Sequence, residues 1–198
     1  AVGGTVTLSD DVVLDEPLDV QANMVLNMNG KTMNGAVNVA EGVSLTIENG
    51  TIMPIENNGE KLYVNGITSN GNLTLNNVEV TSTRHAVRIE SGNAVINGGI
   101  YKISPISKST LHALHVGDDG TVANVIVKGG TFIGAKGTSA DSGAAVNVKK
   151  GSSVTIEGGD FSGGKNKTLS AGGTLEVKGG TFDQDPATWI VTGYKTIK

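Results

Sequence analysis

Three nine-residue stretches decide the fold of this chain: NVIVKGGTF (124–132), SVTIEGGDF (153–161) and TLEVKGGTF (174–182). Each has two apolar residues separated by one other residue, turns at a polar residue followed by two glycines, and ends on phenylalanine. Looser copies precede them, namely VLNMNGKTM (25–33), SLTIENGTI (44–52), NLTLNNVEV (72–80) and NAVINGGIY (93–101). Short alternation is typical of strands with one buried face, and recurrence every few tens of residues is typical of stacked repeats.

The copies align on their second apolar residue, which we take as an anchor. The anchors are Met28, Ile47, Leu75, Ile96, Val127, Ile156 and Val177. Their spacing varies between 19 and 31 residues. Such variation excludes a strict short-period helix and is typical of coils that carry loops of different length.

Three columns of core residues follow from this alignment. The anchors form the second column, and a first column lies two residues before them: Leu26, Leu45, Leu73, Ala94, Val125, Val154 and Leu175. The third lies five residues after them: Met33, Ile52, Val80, Tyr101, Phe132, Phe161 and Phe182. Because five residues break the two-residue period of a strand, a bend is expected between the second and third columns, where Asn-Gly and Gly-Gly pairs occur.

A further strand precedes each copy, usually with a core residue eight positions before the anchor. Its predicted core residues are Val20, Val39, Ile67, Ile89, Val116, Val148 and Leu169. Its predicted outward row is Asp19, Asn38, Gly66, Arg88, His115, Asn147 and Thr168. Each coil therefore contains at least three short strands.

The predicted fold is all-β: a single-stranded right-handed parallel β-helix, or solenoid, of about seven to eight coils. The hand follows from the rule that parallel connections are nearly always right-handed. We expect residues 1–20 to form an N-terminal cap and first coil, 21–182 the parallel β-helix, and 183–198 a C-terminal cap that includes Trp189. An antiparallel sandwich would explain the alternation, but not columns that stay in phase over seven copies.

The GGTF copies, the opening GGTVTLSDDVVLDEPLDV (3–20) and the closing GGTFDQDPATWIV (179–191) resemble pectate-lyase-like β-helix domains. The style is that of repetitive bacterial surface proteins and of phage virion fibres or decoration proteins. The resemblance covers nearly the whole chain, but it is specific for architecture, because a fold does not fix a function. It implies a rigid extracellular or virion-borne scaffold, often in tandem with other domains or trimerised.

Composition excludes several classes of partner. The net charge is −4 and no basic block occurs, so nucleic acid is not expected as a partner. No apolar run approaches the length of a membrane span, so membrane insertion is not expected either. The first residues lack the pattern of a signal peptide, which leaves open that one has been removed. No cofactor is expected.

Catalysis is not expected. A glycosidase needs two carboxylates about 5–10 Å apart, and no predicted outward row has carboxylates on neighbouring coils. Glu48 and Glu157, in the row after the anchors, are separated by four coils. The alternatives are a glycan-degrading enzyme of the tailspike type, lyase or hydrolase, and a module that only binds glycans.

The only arginines and histidines of the chain fall on two consecutive coils. We expect Arg88 and His115 to be neighbours on one sheet face. The group is the candidate binding site for glycan hydroxyls, a carboxylate sugar or an acidic partner surface; the alternative is solvated or locally paired side chains, such as Arg88 with Glu90. No metal site is expected, because residues three apart on a strand face opposite sides. The candidate binding residues are Arg84, His85, Arg88, His112 and His115.

A second candidate surface is apolar. Val95 and Ile126 are expected to be neighbours in a polar outward row, with Ile100 close to them, and adjacent exposed apolar residues indicate a contact surface. We therefore expect an oligomer contact here, with a homotrimer as one form.

The predicted function is a non-enzymatic structural or adhesion module on a phage particle (fibre or capsid decoration) or a bacterial surface. Its expected location is the virion surface or the extracellular or cell surface, and its expected partners are other virion or envelope proteins or a surface glycan.

Overall fold

A computed structural model describes residues 3–57, 60–61, 64–104, 111–135, 143–164 and 167–195. Within these ranges the one helical element is a 3-10 turn, Ala187–Trp189. No helix in the described part of the chain has the length and apolar character needed to cross a membrane. The strands are β1 (Gly4–Thr7), β2 (Val12–Val13), β3 (Leu18–Val20), β4 (Met24–Asn27), β5 (Thr32–Asn34), β6 (Val37–Val39), β7 (Ser44–Met53), β8 (Glu56–Asn57), β9 (Glu60–Lys61), β10 (Ile67–Ser69), β11 (Asn72–Ser82), β12 (Val87–Ile89), β13 (Gly92–Ile96), β14 (Gly99–Ile103), β15 (Leu114–Val116), β16 (Ala123–Val127), β17 (Thr131–Ile133), β18 (Val146–Val148), β19 (Ser153–Ile156), β20 (Asp160–Ser162), β21 (Leu169–Ala171), β22 (Thr174–Val177) and β23 (Thr181–Phe182).

The strands stack in parallel into two large sheets. One has 14 strands, and the other has seven in the order β21-β18-β15-β12-β10-β6-β3. In the larger sheet, β13-β16-β19-β22 stack on the first half of β11 (73–75), and β14-β17-β20-β23 stack on its second half (78–82), while β7 pairs along the other edge of β11. Only β8 and β9 pair antiparallel among the described strands. Because consecutive passes of the chain add one strand to each stack, the arrangement is consistent with a parallel β-solenoid.

The third predicted column is confirmed throughout. Met33, Ile52, Val80, Tyr101, Phe132, Phe161 and Phe182 are register partners along the stack. The last four form a stack of rings with centroids 4.8, 5.0 and 4.9 Å apart. This spacing is close to the strand separation in a sheet, about 4.8 Å, so ring stacking and strand pairing reinforce each other.

The second glycine of each Gly-Gly pair before these rings has a steric cause. Gly159 has φ of +117°, and a Cβ there would lie 2.7 Å from the carbonyl oxygen of Gly130 and 3.2 Å from the ring of Phe161. Glycine alone meets both demands, because it has no side chain and adopts positive φ readily. The second glycine of the pair is therefore needed where coils stack at these rings.

The first two columns are confirmed from the second copy onward and wrong in the first copy. Leu26, not Met28, pairs with Ile47, so that copy is shifted by two residues. Asn29 and Gly30 take up the shift with φ of 52° and 75°. Met28 is still fully buried, beneath Gly50. A two-residue shift keeps every side chain on its face, so alternation alone does not reveal it.

The preceding strand contributes two inward columns. The column that contains Val20 and Val39 continues through Ser69 and Ala171, so the assignment of Ile67 and Leu169 to it was wrong by two residues. Those two residues belong to a parallel inward column. The outward row between the columns is Asp19, Asn38, Thr68, Arg88, His115, Asn147 and Ser170, in place of the predicted Gly66 and Thr168.

The two ends of the strand stacks are covered to different extents. At the C-terminal end, Ile190 bridges to Val177, and Trp189 packs against the core. At the N-terminal end, a largely apolar cavity of about 560 Å³ opens beside Leu8, Leu14 and Met24. The predicted cap boundaries stay predictions, and residues 1–2 and 196–198 of those caps lie outside the described residues.

Candidate functional site

The structure brings the three histidines together, and we call His85, His112 and His115 the histidine stack. The His85 ring centroid lies 4.5 Å from that of His115 and 5.3 Å from that of His112. The His112 and His115 centroids are 5.6 Å apart. His85 and His112 lie just before β12 and β15, where the chain returns to the smaller sheet, and His115 is on β15.

The expectation that His112 and His115 face opposite sides was wrong. β15 begins only at Leu114, so His112 lies outside the strand and the alternation rule does not apply to it. The predicted pairing of Arg88 with His115 is confirmed by the register of β12 and β15.

Each ring of the histidine stack makes its Nδ1 contact with the next coil. The backbone N–H of His112 donates to Nδ1 of His85 at 3.0 Å, and the N–H of Ala144 donates to Nδ1 of His112 at 2.8 Å. Nδ2 of Asn147 lies 3.2 Å from Nδ1 of His115. A backbone N–H can only donate, so the first two rings are neutral and carry their proton on Nε2.

Burial keeps the rings neutral. His85 and His115 are 6% and 7% exposed. Burial, together with the other two histidines and Arg88, lowers the pKa of His85 to about 2. Burial, with His112 and Arg88, lowers the pKa of His115 to about 3. The pKa of His112 falls to about 4, again mainly through burial, with smaller contributions from the positive charges of Lys149 and Lys167.

The charge of Arg88 is paired within the molecule. Its Nε lies 3.0 Å from Oε1 of Glu90, and its Nη2 donates to Oδ2 of Asp118. The backbone N–H of Asp119 and the Arg88 guanidinium hold the pKa of Asp118 below its usual range. The alternative of local pairing with Glu90 is thus confirmed. The backbone N–H of Arg84, a half-buried residue ahead of β12, donates to the Oγ of Ser82 at 3.1 Å.

These contacts limit the chemistry of the five candidate binding residues. Nδ1 of all three rings and the Arg88 guanidinium contact groups of this chain, and two of the rings are almost fully buried. Within the described residues, no group of three or more histidines and carboxylates is placed to hold a metal ion. The role of the five residues in binding stays a prediction.

The predicted apolar pair is also adjacent. Val95 and Ile126 are register partners of β13 and β16. Ile126 is 40% exposed, whereas Val95 is half-buried. Ile100 is 39% exposed but lies on β14, between Glu79 and Thr131. The oligomer contact stays a prediction.

Two features escaped the sequence reasoning. Outward amides bind one another along the stack: Nδ2 of Asn97 donates to Oδ1 of Asn76 at 2.7 Å, and Nδ2 of Asn76 donates to Oε1 of Glu48 at 2.8 Å. The recurrence of Asn just after the anchors was the available signal.

The second feature that escaped the sequence reasoning is a cleft of about 560 Å³ at the C-terminal end, lined by Phe182, Tyr194 and neighbouring polar residues. Phe182 had been assigned only to the core.

Comparisons of the chain with protein-family models, curated proteins and solved structures found no match.

Proposed function

We propose that this chain is a non-enzymatic structural or adhesion module of a phage particle or bacterial surface. It is built as a single right-handed parallel β-helix of seven to eight coils, of the pectate-lyase-like kind. Its task is to hold a rigid shape and to contact a virion, envelope or host surface component.

One observation carries this proposal: the polar groups that could act on a ligand bind neighbouring coils instead. The histidine stack accepts hydrogen bonds from the next coil, and Arg88 pairs with Asp118 across a coil. The Asn97–Asn76–Glu48 ladder does the same on another face. In the rows defined by the described strands, no two carboxylates are register partners, as a two-carboxylate mechanism would require. Glu90 and Asp118, which follow the paired strands β12 and β15, do come together, but Arg88 pairs with both of them.

A degradation assay tests the non-enzymatic part. The chain is incubated with purified capsular and cell-wall polysaccharides, and new reducing ends and unsaturated products are measured. We expect neither. Products that disappear on Glu48→Gln or Glu157→Gln, but persist on Asp10→Asn at the exposed N-terminal end, would show catalysis and overturn the proposal. Immunogold labelling of phage particles and cells that produce the chain tests its location, and labelling confined to the cytoplasm would contradict it.

The C-terminal cleft favours a second candidate, a module that binds glycans without chemistry. The ring of Phe182 ends the aromatic stack at the cleft, Tyr194 is 52% exposed, and Lys178 and Lys195 also line the cleft. Ring faces beside a few polar groups are typical of small-ligand sites of this size. A glycan array tests this candidate: binding lost on Tyr194→Ala but kept on Val122→Ala would support it.

A further inference from the structure

The histidine stack lies where three consecutive passes of the chain re-enter the smaller sheet. Its hydrogen bonds connect His85 to His112 and His112 to Ala144, so they join the segments that lead into β12, β15 and β18. In this corner, ring nitrogens of the stack accept backbone hydrogen bonds from the next coil. Each of those bonds depends on an unprotonated Nδ1.

Protonation of Nδ1 would break this hydrogen bond. A protonated Nδ1 carries a hydrogen that would face the donor N–H, and the bond would be lost. The positive charges would also lie close together, since the ring centroids are 4.5 to 5.6 Å apart. One partial compensation exists, because the carbonyl oxygen of His112 lies 3.3 Å from Nδ1 of His85.

The charged surroundings oppose protonation further. Arg88 on β12 acts on His85 and His115, while Lys149, after β18, acts on His112 and His115, and Lys167, before β21, acts on His112. Asp118, after β15, is the one acidic group among these influences, and Arg88 already pairs with it.

We propose that the histidine stack is an acid-sensitive latch: it ties three neighbouring coils together while its rings are neutral, and protonation releases them. The latch is independent of what the module binds. It predicts that mild acid raises the fraction of molecules in which the coils are separated at this corner, because the histidines take up protons only there, before carboxylate protonation destabilises the rest of the molecule.

The direction in which stability changes with pH follows from the pKa values. The three folded-state pKa values lie below that of an unfolded histidine, about 6.5. The unfolded chain therefore binds more protons as the pH falls below about 6.5, and folded-state stability is lost in that range. At about pH 5 each histidine raises the unfolding equilibrium constant about 30-fold, and the three together on the order of 10⁴-fold. Asp118 loses its contribution only at lower pH, because its pKa is depressed.

The test is urea unfolding at about pH 7.5 and about pH 5. Its control is the variant His85→Asn, His112→Asn, His115→Asn, because the Oδ1 of asparagine can accept where Nδ1 did and does not titrate. We expect a rise on the order of 10⁴-fold in the unfolding constant of the natural chain and less than about tenfold in the variant. An equal pH dependence in both overturns the proposal.

A second measurement holds even where the triple variant does not fold. Amide exchange of the natural chain, corrected for the intrinsic effect of pH, should show the N–H groups of His112 and Ala144 losing protection in acid before those of the core strands β13 and β16. Imidazole NMR signals that titrate near the unfolded value, with these amides still protected, would overturn the proposal.

Discussion

Replacing Phe132 by alanine should remove the centre of the aromatic stack. The ring is fully buried and lies between Tyr101 at 4.8 Å and Phe161 at 5.0 Å. Truncation of a buried phenylalanine costs about 3–5 kcal/mol, and stacked pairs contribute about 0.5–1.5 kcal/mol each beyond their buried area. With two pairs lost, we expect a loss near the top of that range, about 5 kcal/mol. A typical domain has only about 5–15 kcal/mol of stability in total.

Phe182→Ala is the matched control, because its ring is half-buried and stacks in the described structure only on Phe161, at 4.9 Å. One pair and partial burial predict a loss of about 1–2 kcal/mol. Urea unfolding of both variants, followed by circular dichroism, gives the two free energies of unfolding. Losses of equal size, or a loss under about 2 kcal/mol for Phe132→Ala, would refute the assignment of the stack as a central stabilising element.

Two further predictions use the described backbone and surface. Gly159→Ala should lower the free energy of unfolding by well over 2 kcal/mol, because the added Cβ would clash with the carbonyl of Gly130 and alanine would also have to adopt a positive φ. Gly120→Ala should lower it by only about 1–2 kcal/mol, because Gly120 has φ of +83° but open space around it. Comparable losses in urea unfolding would remove the steric account. Ile126→Asn should lower the oligomeric mass measured by light scattering if the predicted contact forms, while Val122→Asn, 57% exposed, should leave it unchanged; an unchanged mass in both variants would remove that contact.

The third core column was predictable because its residues carry two signals at once. The Gly-Gly pair fixes the bend and the aromatic residue fixes the position after it, so Phe132, Phe161 and Phe182 align without ambiguity. Elsewhere only the two-residue alternation was available. Since a shift by two preserves that alternation, Met28 and Ile67 were placed in the wrong columns although both are buried.

The histidine stack was only partly predictable. Strand register sufficed to place Arg88 beside His115, since both lie on strands. The positions of His85 and His112 depend on how loops return to the sheet, and loop geometry leaves no periodic trace in sequence. Their burial was hidden for the same reason: a polar residue in a loop is ordinarily solvated, and nothing local signals that three such rings stack.

The direction of the polar contacts narrows where a partner could bind. The amide ladder, the Arg88–Asp118 pair and the histidine stack add bonds along the axis of the stack to those of the strands. A ligand that competes for the engaged atoms of these groups must break a contact between coils, which costs stability. A partner is therefore expected to bind where side chains are exposed and do not bond a neighbouring coil. Ile126 on the large sheet and Tyr194 at the C-terminal cleft meet that condition better than the histidine stack and Arg88 do.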